Sequence, residues 1–141
     1  MDIKDVYQIT FSPTGTSRRV AEAIVSGTGI ERVTVTDVTL ETEKSLTVPR
    51  QALAVFAVPV YGGHVAPLAL ERMKDIRSDE GAPAVVVVVY GNRAYEKALQ
   101  ELDAFVSARG FKVIAGGTFI GNIRTAMSNT PLRRGVRTRL M

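Results

Sequence analysis

Phe11-Ser12-Pro13-Thr14-Gly15-Thr16-Ser17 is the stretch on which the fold turns. Ahead of it, Val6-Tyr7-Gln8-Ile9-Thr10-Phe11 alternates like a half-buried strand, and behind it Arg18 to Val25 repeats like a helix. A strand, a hydroxyl-rich turn and a helix N-terminus, in that order, build an anion site. The first N–H groups of a helix have no intrahelical partners, and the helix dipole is positive at that end. Ser12, Thr14, Thr16 and Ser17 add hydroxyl donors, and Gly15 lets the backbone come close to a ligand. A single hydroxyl is enough to cap a helix; this turn carries four within six positions. It lacks the Gly-Lys-Ser/Thr ending of a triphosphate loop, and it lacks G-x-G-x-x-G. A monophosphate held without a metal fits it best.

Composition narrows the classes. The chain has 141 residues, 45% of them apolar, which suits one domain with a real core. Its longest apolar run, Ala82 to Tyr90, is interrupted by Pro83 and is too short for a membrane span. Met1-Asp2-Ile3-Lys4-Asp5 has no signal-peptide pattern, so the cytoplasm is the expected compartment. With no cysteine there is no disulfide and no thiolate metal or iron–sulfur site, and a single histidine argues against a histidine-based zinc site. The net charge of +4 resides in Arg133, Arg134, Arg137 and Arg139; the rest of the chain holds equal numbers of basic and acidic residues, 14 of each. No nucleic-acid or membrane partner is therefore expected.

Read in order, residues 3–11 form the first strand and Thr16 to Ser26 the first helix, with Val20, Ala23, Ile24 and Gly27 on one face. Glu31 to Thr39 is a second strand rich in β-branched residues. Residues 40–50 hold either a short helix or a loop. Gln51 to Val58 is a nearly all-apolar third strand, buried on both faces. A loop over Pro59-Val60-Tyr61-Gly62-Gly63-His64 leads to a helix from Pro67 through Ile76. Ala84 to Tyr90, with five consecutive valines, is a central parallel strand. The loop Gly91-Asn92-Arg93-Ala94 opens a helix from Tyr95 to Arg109, capped by Gly110, and Phe111 to Ile120 is the fifth strand.

Strands alternating with helices predict an α/β, doubly wound, five-stranded parallel sheet in the order 2-1-3-4-5. In such sheets ligands sit beyond the strand C-termini at the switch point, here between the first and third strands. Three loops should surround that point: residues 12–17, 59–64 and 91–95. Tyr61 and Tyr95 can offer aromatic faces to a planar ring, Gly62 and Gly63 permit positive φ, and Asn92 offers both a donor and an acceptor. Either tyrosine alone reads as a packing residue, and it is their joint placement at strand ends that favours the ring; His64 and Arg93 read as solvated loop side chains.

Ser-Pro-Thr-Gly-Thr-Ser at residues 12–17 resembles the flavodoxin phosphate loop, which holds the phosphate of FMN. Pro-Val-Tyr-Gly-Gly at 59–63 and Tyr-Gly-Asn-Arg-Ala-Tyr at 90–95 extend the likeness. Together they resemble the flavodoxin-like domain of bacterial proteins that fuse a flavodoxin to a 4Fe-4S ferredoxin-type domain, over residues 3 to about 122. The resemblance implies a flavodoxin-like domain over 1–122, FMN as non-covalent cofactor, electron transfer, and a redox partner protein of the iron–sulfur kind. It implies FMN contacts from Ser12, Pro13, Thr14, Gly15, Thr16, Ser17, Pro59, Val60, Tyr61, Gly62, Gly63, Tyr90, Gly91, Asn92 and Tyr95. No catalytic residue or metal is implied. The alternatives are a flavin-dependent quinone or NAD(P)H reductase and a flavin-free phosphate-binding module. The ferredoxin-type cysteines are absent.

The flavodoxin plan calls for a final helix, whereas residues 123–141 read as an irregular basic tail. A GC-rich back-translation of Arg133 to Met141, restored by one base, spells Ala-Ala-Gly-Arg-Pro-Asp-Ala-Leu-Asp, which resembles the family's continuation. The expectation is a frame shift after Leu132 that removes the last helix, set against a natural basic tail. The uncovered sheet face would then invite homodimerisation.

Overall fold

The computed structural model describes residues 3–40, 45–91 and 96–120, together with the strand Arg137–Leu140. Five parallel strands build the sheet: β1 (Asp5–Thr10), β2 (Arg32–Asp37), β4 (Ala52–Tyr61), β7 (Pro83–Tyr90) and β8 (Lys112–Ile120). Their spatial order is β2-β1-β4-β7-β8, which is the predicted 2-1-3-4-5. Three helices are described: α1 (Thr16–Gly27), α2 (Pro67–Met73) and α3 (Glu96–Ala108).

Alternation along the central strands sends side chains to two cores. Ile9, Phe56, Val58, Val86 and Val88 pack on Ala69 and Met73 of α2 and on Ala98, Leu99, Leu102 and Val106 of α3. Phe56 meets Phe111 edge-on, with ring centroids 5.2 Å apart. The opposite face sets Val6, Val55, Ala57, Val87 and Val89 against Val20, Ala21 and Val25 of α1. The buried stripe of α1 is thus Ser17, Val20, Ala21 and Val25, with Ala23 and Gly27 exposed. It is rotated from the predicted face because Val20, Ala21 and Val25 are the α1 residues that meet Val6, Val55, Ala57, Val87 and Val89 of the sheet.

Several boundaries differ from the sequence reading, each for a local reason. Of residues 40–50, Leu40 and Ser45 onward are described, and Leu46–Thr47 form a short strand, β3, parallel to β6 (Ile76–Arg77). That pairing ends α2 at Met73, so Ile76 belongs to a strand rather than to the helix. The third main strand runs through Tyr61 instead of stopping at Val58. Pro59 and Val60 continue the ladder, and His64–Val65 (β5) returns antiparallel with Val60 opposite Val65 and Tyr61 opposite His64. The expected open loop over 59–64 is therefore a tight hairpin. Between β7 and β8 the register shifts at Ala84/Val85, so Ile114 bulges and is partly exposed. Of the expected irregular tail, Arg137–Leu140 are described; they form β9, antiparallel to β8.

Candidate functional site

Parallel strands bring the ends of β1, β4 and β7 to one edge of the sheet. β1 lies between β2 and β4 there, so the chain winds away to opposite sides from that point. The turn after β1, the hairpin at the end of β4 and Gly91 after β7 share this edge. Asn92 and Tyr95, together with Arg93, lie outside the described residues.

The turn after β1 is built around Gly15, whose φ of 86° is left-handed and favours glycine. Gly15 N–H donates to Ser12 O at 3.1 Å, closing the turn, and Arg19 N–H donates to Gly15 O at 3.1 Å as the helix begins. Ser12 Oγ accepts from Arg18 N–H at 2.9 Å, so this hydroxyl caps the helix. Ser12 N–H donates to Thr39 Oγ1 at 2.8 Å and is thereby spent inside the protein. Thr14 and Thr16 hydroxyls lie 3.3 Å apart. Among the described hydrogen bonds, none uses the N–H of Thr14, Thr16 or Ser17. Three N–H donors at one helix start, without acceptors among the described hydrogen bonds, lie at the positive end of the α1 dipole. Thr10 Oγ1, fully buried at the last position of β1, also has no hydrogen-bond partner. The guanidinium of Arg18 is close by: its Nη2 comes within 3.7 Å of where a Gly15 Cβ would stand.

A second layer holds this turn in place. Asp37 Oδ1, at the end of β2, accepts from Thr39 N–H at 2.9 Å and from Thr39 Oγ1 at 2.5 Å, which orients the hydroxyl toward Ser12. Arg72 of α2 donates through Nη1 to Val38 O at 3.0 Å and to Thr39 O, and its guanidinium lies 5.8 Å from the Phe11 ring centroid. Sequence reading missed Asp37, Thr39 and Arg72, which reach the turn from 25 or more residues away in the chain.

The hairpin carries the next set. Gly62 and Gly63 have φ of 61° and 85°, so both central positions of a two-residue turn are left-handed, as a type I′ turn requires. Tyr61 leaves half of its surface exposed (50%), and Pro59 and Val60 are half-buried. Tyr90 at the end of β7 is buried and Gly91 after it is exposed. His64 is not merely solvated. Its Nδ1 lies 2.9 Å from Glu101 Oε2, and Val65 N–H donates to Glu101 Oε1 at 3.0 Å. Burial alone would raise the Glu101 carboxyl. The hydrogen bonds to His64 and Val65 and the charges of His64 and Lys97 outweigh it and hold the carboxyl below its usual value. Among the described residues, no group of His, Asp and Glu is arranged to hold a metal, and no helix is long and apolar enough to cross a membrane.

A sequence model of the family described as flavodoxin matches residues 9–132. No curated protein matches the sequence. Among solved structures, the chain is similar to the flavodoxin of Streptococcus pneumoniae TIGR4, with a TM-score of 0.59 at 17% identity over 87% of this chain and 90% of that one. It is similar to a flavodoxin from the domain Archaea, with a TM-score of 0.51 at 10% identity over 88% and 90%. The Trp repressor binding protein of Bacillus subtilis matches with a TM-score of 0.51 at 13% identity, over 92% and 97%. At these identities the likeness is one of fold.

Proposed function

The chain belongs to the flavodoxin family, and from that premise we propose that it is an FMN-binding electron-transfer domain. The observation that carries the reading is the set of three unspent N–H groups, of Thr14, Thr16 and Ser17, at the start of α1. They stand beside a sheet edge that also bears a glycine hairpin and a half-exposed tyrosine. The first group suits a phosphate and the second a flat ring.

The donor chemistry fits the cofactor residue by residue. Thr14, Gly15, Thr16 and Ser17 would hold the phosphate through N–H and hydroxyl groups, with Ser12 and Pro13 shaping the turn around it. Arg18 adds positive charge at the rim of the turn. Pro59, Val60, Tyr61, Gly62 and Gly63 would line the ring, together with Tyr90, Gly91, Asn92 and Tyr95. When bound, the flavin supplies the one-electron chemistry, and the chain supplies binding, orientation and control of potential. No acid, base or nucleophile of the chain is needed for that task. An exposed Tyr61 keeps the ring edge close to the surface, where an electron can pass to a partner protein, and a redox partner of the iron–sulfur kind fits this arrangement.

Spectroscopy of the purified protein tests the reading. Flavin absorbance bands, or their appearance on adding FMN with saturation at one per chain, support it. A colourless protein that takes up no FMN defeats it. Loaded protein that accepts electrons from a reductase protein, yet does not itself oxidise NAD(P)H, is the expected behaviour of a carrier.

A further inference from the structure

The β4–β5 hairpin is small for the task assigned to it. β5 is two residues long, and an isolated two-stranded hairpin is marginal in water. Its two paired positions, Tyr61 with His64 and Val60 with Val65, face β4. Ala66 N–H adds one bond to Pro59 O at 3.2 Å. Among the described strands, β5 pairs with β4 alone. What stands there is the Glu101 carboxylate of α3, 36 residues further on, with one oxygen on Val65 N–H at 3.0 Å and the other on His64 Nδ1 at 2.9 Å. One carboxylate thus accepts from the β5 backbone and at the same time fixes the side chain next to the turn glycines. Leu99 and Leu102, buried in the core, flank Glu101 in sequence and hold this part of α3 rigidly.

We infer that Glu101 is a positioning residue that clamps the Tyr61–His64 hairpin to α3 and so sets where Tyr61 and the Gly62–Gly63 peptides meet the flavin ring. The inference rests on the FMN reading for its consequence, although the clamp itself does not. A shift of the hairpin against α3 would move Tyr61 and the Gly62–Gly63 peptides relative to the ring. Tyr61 is half exposed and contributes little core packing, so the clamp acts on ring binding far more than on global stability.

The test compares wild type with Glu101→Ala and Glu101→Gln, using FMN, riboflavin and inorganic phosphate as probes, with amide hydrogen exchange of the ligand-free proteins. Losing the clamp should weaken FMN and riboflavin equally, by about 3- to 10-fold, because a hydrogen bond to a charged group is lost at a partly exposed site. Inorganic phosphate affinity should stay at the wild-type value. Exchange at His64 and Val65 should speed up in Glu101→Ala. Glu101→Gln, which keeps an acceptor for Val65 N–H, should restore part of both losses. Wild-type riboflavin affinity and unchanged hairpin exchange in Glu101→Ala overturn the inference. Parallel loss of phosphate affinity overturns it as well, since that marks a general effect on the fold. If Glu101→Ala does not fold, Glu101→Gln and His64→Ala carry the test, and wild-type hairpin exchange in both refutes the clamp. If wild-type protein takes up no flavin, the FMN reading fails by itself, and the exchange comparison still decides the clamp.

Discussion

Gly110 follows the end of α3 with its backbone against Ser78, and its replacement by alanine gives a sharp prediction. Gly110 has a φ of 94°, and a Cβ placed there would stand 2.0 Å from the Ser78 carbonyl oxygen. Ser78 has little freedom to retreat. Its N–H donates to Arg109 O at 3.0 Å, its hydroxyl donates to Val48 O at 2.8 Å, and that hydroxyl accepts from Ala82 N–H at 2.9 Å. Gly81 is the internal control, with a φ of 72° and nothing within 4 Å of its Cβ position. Left-handed backbone costs a non-glycine residue about 1–2 kcal/mol, and that is all Gly81→Ala should lose. Gly110→Ala adds forced overlap with a buried backbone, about 1–3 kcal/mol more. A domain of this size shifts by roughly 3 °C per kcal/mol. Thermal unfolding should therefore show Gly110→Ala melting about 3–9 °C below Gly81→Ala. Equal melting temperatures would refute the argument, because then the Ser78 contact is not the constraint.

Thr14→Val should weaken FMN binding by about 1–2 kcal/mol in a fluorescence titration, through loss of a charge-assisted hydrogen bond; wild-type affinity would mean that Thr14 does not hold the phosphate. Tyr61→Ala should lower FMN affinity while leaving ligand-free stability within about 0.5 kcal/mol, because the side chain is half exposed; a large drop in melting temperature would make Tyr61 a core residue instead. Glu101 is held below its usual 4.5, with His64 and Lys97 facing it. Its contribution is complete above that value and is lost as pH falls through the lower folded-state value. The protection factor of the Val65 amide, its exchange corrected for the intrinsic rate at each pH, should fall on acidification below 4.5 in wild type but not in Glu101→Gln; an identical pH response in both proteins would remove Glu101 from the explanation.

The parts of the molecule legible in the sequence were those set by short-range patterns. Five consecutive valines could only be a buried parallel strand, and hydroxyls around Gly15 ahead of a helical repeat could only be a helix-start turn. Where reading failed, a distant partner decided the outcome. Pro59 and Val60 read as the start of a loop, yet Gly62 and Gly63 fold back into a hairpin that keeps both residues extended. Ile76 kept a helical spacing from Met73, and β3 drew it into a strand. Thr39 and Glu101 carry no local mark of their roles. Each answers an N–H group, of Ser12 and Val65, that the backbone leaves unpaired 27 and 36 residues away. The signal that could have found them is the accounting question of where each buried or edge N–H goes.

If one edge of the sheet holds a phosphate at the α1 start and a flavin ring at the hairpin, the phosphate must separate FMN from riboflavin in affinity. Equilibrium fluorescence titration of ligand-free protein with each flavin measures it, with and without inorganic phosphate as competitor. One FMN should bind per chain, at least about 10-fold more tightly than riboflavin through charge-assisted bonds to the turn, with phosphate displacing FMN but not riboflavin. Equal affinity for the two flavins, unaffected by phosphate, would contradict it.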